Sequence, residues 1–152
     1  MTAPRFHAGR RIAAAPDRIW ALLVDLPSWH AWNPTVLSIE GDVTPGGTVR
    51  LAAAANPKRT FTVRVTELVP PQRMVWTSGM PLGLFRGVRT YSLAAAAGDE
   101  ATDFAMTEVY SGALGGLIGR SIPDLGPSFE AFADALKVAA ESADPGRIPQ
   151  TA

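Results

Sequence analysis

Arg89, Tyr91, Glu108 and Tyr110 are the residues most able to do chemistry, because they recur at alternate positions on two successive strand-like runs, Gly87–Ala95 and Thr102–Ser111. Residues two apart on a strand share a face. If the two runs form a hairpin turning within Ala95–Glu100, residues 93 and 102, 91 and 104, 89 and 106, and 87 and 108 lie opposite one another. Phe104, Met106 and Tyr110 mark the shared face as the concave, apolar one. Arg89 and Glu108 are then diagonal neighbours able to form an ion pair inside an apolar wall. Two readings follow. In one, the pair satisfies itself and is structural. In the other, Glu108 and Arg89, helped by the hydroxyl of Tyr91 or Tyr110, orient or polarise a ligand carbonyl and act as acid or base.

Other chemistries find little support. The chain has no cysteine, which excludes disulfides, thiolate nucleophiles and cysteine metal sites. His7 and His30 are far apart and lack a paired carboxylate pattern, so no metal and no cofactor is expected. His30 reads as a surface residue between two tryptophans, and the face of His7 is not fixed by the pattern. Asn33, before Pro34, reads as turn chemistry. No nucleotide-binding glycine motif, P-loop or Ser-His-Asp order is present.

The 152 residues fit one domain, placed at 1–144 with a frayed tail at 145–152. Fourteen acidic and fourteen basic residues give a formal charge of zero, so nothing steers the protein toward nucleic acid. No stretch approaches the roughly 20 apolar residues of a membrane span, and Met1–Arg5 lacks the apolar core of a signal peptide. No membrane insertion and a cytoplasmic location are the expectations; monomer and homodimer both remain open.

The positioning elements begin with a strand over Arg5–Ala14. Pro16 and Asp17 then open a short helix whose Ile19, Leu22, Leu23 and Leu26 share a face. Pro27 stops it, and Ser28–Pro34 makes a tryptophan-rich corner whose indoles plug one end of the sheet. Strands follow at Val36–Glu40, Thr48–Ala54, Phe61–Val69, Met74–Ser78 and then the two runs above, separated by Gly- and Pro-rich turns. Leu125, Phe129, Phe132, Leu136 and Ala140 form one stripe on a long last helix, with Pro127 in its first turn. The fold class is α+β: a curved antiparallel sheet of about seven strands around that helix, with two short helices after the first strand. Gly79–Phe85 and Gly112–Gly119 combine glycine with apolar side chains and read either as mobile gates or as packed connections.

This layout resembles the START-like superfamily, also called the SRPBCC or polyketide cyclase/dehydrase-like proteins, which share the helix-grip fold. The resemblance spans the whole chain and rests on Ile12–Trp20, Trp29–Pro34, the Val65–Trp76 hairpin, Thr107–Gly112 and the last helix. It implies a deep apolar cavity between sheet and helix that holds a hydrophobic small molecule. Trp29, Trp32, Trp76, Phe85, Phe104, Met106, Tyr110, Phe129 and Phe132 are the expected ligand-binding residues, and Glu108, Arg89 and Tyr91 the expected catalytic ones. The functions implied are binding of a hydrophobic, cyclic ligand, a cyclase- or dehydratase-like reaction on it, or a protein-interaction role of the chaperone co-activator type.

Overall fold

The computed structural model describes residues 5–96, 101–114 and 124–142. The tail at 145–152, most of the Gly112–Gly119 segment and the tip of the last hairpin lie outside them.

The chain runs β1 (Arg5–Ile12), α1 (Pro16–Val24), a 3-10 turn (Leu26–Ser28), α2 (Trp29–Trp32), β2 (Val36–Gly41), β3 (Thr48–Ala53), β4 (Thr60–Val69), β5 (Arg73–Met80), β6 (Phe85–Ala95), β7 (Thr102–Ser111) and α3 (Gly126–Glu141). The seven strands form one antiparallel sheet in the order β1-β7-β6-β5-β4-β3-β2. Register shifts between Val36 and Ser38 and between Val65 and Glu67 mark irregularities in β2 and β4. An extra residue on one strand bends it and sharpens its twist. The sheet therefore curls, and its concave face wraps α3 in a helix-grip arrangement.

The stripe on α3 does what its spacing predicts: Phe129, Phe132, Ala133, Leu136 and Ala140 are buried. Pro127 sits in the first turn, where its missing N–H costs nothing. Polar clamps fix the helix along β1. Arg10 pairs with Glu130 and Asp134, Lys137 donates to the Arg11 carbonyl, and Glu141 accepts the Ala13 N–H. At the other end, Arg18 of α1 donates to the Ala140 carbonyl, one of the acceptors a helix leaves unsatisfied at its C-terminus.

Proline and tryptophan build the corner after α1. Pro16 opens α1 and Pro27 lies in the 3-10 turn that follows it. The Trp29 indole N–H is shared between the Leu22 and Leu23 carbonyls at 3.1 and 3.2 Å, which answers part of the unpaired α1 terminus. Asn33 is buried; its side-chain oxygen accepts from both the N–H and the hydroxyl of Thr35, so it is a turn residue as its position before Pro34 implied.

Two strand expectations need correction. The first strand ends at Ile12, two residues early, because the chain turns there to bond Ala14 N–H to the Ile12 carbonyl. The β6–β7 register is shifted by two: Leu93 faces Phe104, Tyr91 faces Met106, Arg89 faces Glu108 and Gly87 faces Tyr110. The pairing continues outward until Ala96 N–H meets the Ala101 carbonyl, so the hairpin tip is shorter than the sequence implied. A shift of two preserves the side-chain face, and the concave assignment stands.

Candidate functional site

Register determines what meets on the concave face. One row across the sheet reads Val65, Trp76, Arg89, Glu108, Phe6. The next reads Ser78, Gly87, Tyr110. Arg89 and Glu108 are therefore directly opposed rather than diagonal, and Arg89 Nε lies 2.7 Å from Glu108 Oε1. The second Glu108 oxygen accepts the Tyr110 hydroxyl. Both carboxylate oxygens are thus engaged, one by a cation and one by a phenol.

The pair is largely removed from solvent, with side-chain exposures of 23% for Arg89 and 12% for Glu108. Burial by itself would lower the Arg89 pKa; the Glu108 charge and hydrogen bond, with a contribution from Tyr91, outweigh it and hold the guanidinium charged. The Arg89 guanidinium also lies 4.9 Å from the centre of the Phe129 ring. Tyr110 is pushed well above the usual tyrosine range, first by burial and then by the Glu108 charge and hydrogen bond. It keeps its proton and acts as a donor. Its ring stacks on Phe85 at 5.5 Å and meets Phe6 edge-on.

These residues line a cavity of about 340 Å³ between the sheet and the start of α3. Trp76, Phe85, Met106, Phe129 and Phe132 supply its apolar wall, and Arg89, Glu108 and Tyr110 its polar inner end. The volume is at the small end of those that hold organic ligands. A depression of about 460 Å³ reaches the opposite face of the sheet along Thr62, Arg64, Thr66 and Arg86. Those four side chains are exposed, so it encloses nothing.

Four expected site residues do not line the cavity. Trp29, Phe104 and Tyr91 are packed in the core and are absent from the cavity lining, as is Trp32, which packs against Trp29 and Phe132 at the same end. Trp29 stacks behind Trp76 at 5.8 Å with the rings 15° apart, so Trp76 stands between it and the space. The Tyr91 ring packs edge-on against Trp76, and its hydroxyl is buried without a hydrogen-bond partner among the described residues. Burial raises its pKa and the nearby Arg89 charge opposes the rise. Tyr110, not Tyr91, shares Glu108.

The family model described as polyketide cyclase / dehydrase and lipid transport matches residues 3–141. The chain belongs to this family. Solved structures of the same helix-grip fold include the Zhui aromatase/cyclase of Streptomyces sp. R1128, at 15% identity and a TM-score of 0.70 over 91% of this chain and 93% of that one. A START superfamily protein of Mycobacterium smegmatis is 15% identical, with a TM-score of 0.67 over 90% and 97%. A Thermus thermophilus protein is 26% identical, with a TM-score of 0.68 over 91% and 100%. No curated protein sequence matches the chain.

This polyketide cyclase-like chain also lines its cavity with residues that sequence reasoning passed over. Leu51, Ala53, Asn56, Arg59, Phe61 and Val63 come from β3, β4 and their connection, and Leu125 and Ser128 from the start of α3. Half-buried Asn56 and exposed Arg59 and Thr60 form the mouth. One signal was available: Phe61 and Val63 alternate with Thr60, Thr62 and Arg64, the period of a strand with one apolar face. The Gly79–Phe85 segment supplies Gly79 and Phe85 to the wall. His7 and His30 are both exposed, and neither lines the cavity. Among the described residues no cluster of three histidine or acidic side chains is placed to hold a metal, and no helix is long and apolar enough to cross a membrane.

Proposed function

We propose that the protein binds one hydrophobic, cyclic small molecule in this cavity. The observation that carries the reading is a small aromatic-walled space with a single polar cluster at its inner end. Trp76 and Phe132 offer flat apolar surface to a ring system. Arg89 uses its Nε on Glu108, so its remaining N–H groups can donate to a ligand carbonyl or hydroxyl, and the Tyr110 oxygen can accept.

A second reading, acid/base catalysis on the same ligand, is favoured by the contact between the Glu108 carboxylate and the Tyr110 hydroxyl on the wall. Its obstacle is that each Glu108 oxygen already accepts one hydrogen bond, which leaves only one further lone pair on each for a substrate proton. The Zhui protein, an aromatase/cyclase, is one structural neighbour whose activity fits this reading.

The test is native mass spectrometry of the purified protein, with denaturing extraction of whatever accompanies it, alongside titration with the fluorescent neutral probe N-phenyl-1-naphthylamine. One-to-one probe binding that a co-purified compound displaces supports the binding reading. Absence of probe binding refutes it. Chemical change in the extracted compound on incubation with the protein moves the conclusion to catalysis.

A further inference from the structure

The charged side chains on the cavity wall do not balance. Among the described residues that line it, Arg59, Arg89 and Glu108 carry charge. Arg89 and Glu108 neutralise one another at the inner end. Arg59 has no carboxylate within salt-bridge distance among the described residues, so the wall keeps one positive charge, and that charge is at the mouth.

Its placement is built by the connection between β3 and β4. The Arg59 N–H bonds back to the Asn56 carbonyl at 3.2 Å, which closes the turn and fixes where the side chain leaves the chain. The guanidinium then lies 5.4 Å from the centre of the Phe61 ring. Phe61 faces Leu51 across β3–β4, and both line the cavity. The same ring thus forms apolar wall and supports the cation at its rim. Phe61 is four residues along β4 from Val65, whose row contains Arg89, a separation of about 13 Å along the strand. An apolar body lying between them would meet a closed ion pair at one end and an open cation at the other.

We propose that the ligand is an apolar molecule bearing one anionic group, a carboxylate, sulfonate or phosphate, which pairs with Arg59 at the mouth while the apolar body occupies the cavity. The proposal rests on the cavity being a binding site, and the experiment separates the two. Two probes share one ring skeleton: 8-anilinonaphthalene-1-sulfonate carries an anion, and N-phenyl-1-naphthylamine does not. The protein should bind the sulfonate more tightly at low salt, with the advantage shrinking as salt screens the pair. Arg59→Gln should weaken sulfonate binding about fivefold, the upper range for a solvent-accessible ion pair, and leave the neutral probe within about twofold. Lys58→Gln, a neighbouring cation off the cavity wall, should change neither. Because Arg59 is exposed, its variant keeps the fold, which a thermal melt verifies. Equal effects of Arg59→Gln on both probes, or no effect on the sulfonate, overturn the proposal while neutral-probe binding leaves the cavity reading standing. Failure of both probes to bind overturns both.

Discussion

Gly87 and Tyr110 are opposed across β6 and β7, and a methyl group built on Gly87 would lie 3.0 Å from Tyr110 Cε1 and 3.2 Å from Ser78 Oγ. The missing side chain makes the space over which the Tyr110 ring lies on its way to Glu108. Gly87 has ordinary strand dihedrals, so an alanine there is opposed by packing alone.

Gly87→Ala should therefore destabilise the protein by about 1–2 kcal/mol, the cost of one extra methyl in a filled site. It should also weaken N-phenyl-1-naphthylamine binding, because the tyrosine ring must yield into the cavity. Urea denaturation and a probe titration measure the two effects; unchanged values for both would show that the ring has room to spare.

Breaking the ion pair from one side differs from removing it whole. Glu108→Ala leaves the Arg89 charge largely buried and unanswered, and should cost about 3 kcal/mol. The double change Arg89→Met with Glu108→Leu should recover most of that stability while erasing the polar inner end. Glu108→Gln keeps the shape: unchanged probe affinity in the folded variant marks the pair as structural, whereas a large loss marks it as part of the site.

Trp29 and Trp76 are stacked yet should respond in opposite ways. Trp29→Phe removes the indole donor to the α1 carbonyls and packing behind the wall, so the melting temperature should fall with the probe dissociation constant unchanged. Trp76→Phe alters the wall itself, so the dissociation constant should rise. Thermal melts and titrations on both variants distinguish core from lining.

The α3 clamp should loosen in acid. Asp134 is held below the usual carboxylate range by its hydrogen bond and charge interaction with Arg10, and Glu141 by the Ala13 N–H and Lys137. A carboxyl group depressed in the folded state stabilises it fully above the unfolded value, about 4, and the contribution is lost as pH falls through the folded value. Asp134→Asn and Glu141→Gln should lower the melting temperature above about pH 5, and the gap to the wild type should close toward about pH 3. A gap independent of pH would assign these groups no linked proton.

The α+β class, the strand order and the stripe on α3 were legible because periodicity and proline punctuation report local geometry. The concave face was legible for the same reason: Glu108 and Tyr110 share parity with Met106 on one strand, and Arg89 joins them in any hairpin register that differs by two. Register itself was not, since the length of the β6–β7 tip depends on how far Ala95 and Thr102 continue to pair, and alanine and threonine carry no turn signal. Trp29 and Tyr91 show a second limit. Their apolar bulk announces burial, but a residue behind the wall and a residue on it have the same sequence pattern. The Arg59 mouth went unread because an arginine in a polar turn looks solvated until the neighbouring strand places Phe61 under it.

The first strand of the chain pairs with the last, β1 with β7, and α3 is clamped to β1. During synthesis β1 emerges about a hundred residues before its partner and has no lasting place until β7 and then α3 arrive. The cavity is accordingly a joint product of both ends of the fold: without α3 the sheet keeps an apolar concave surface but encloses no space.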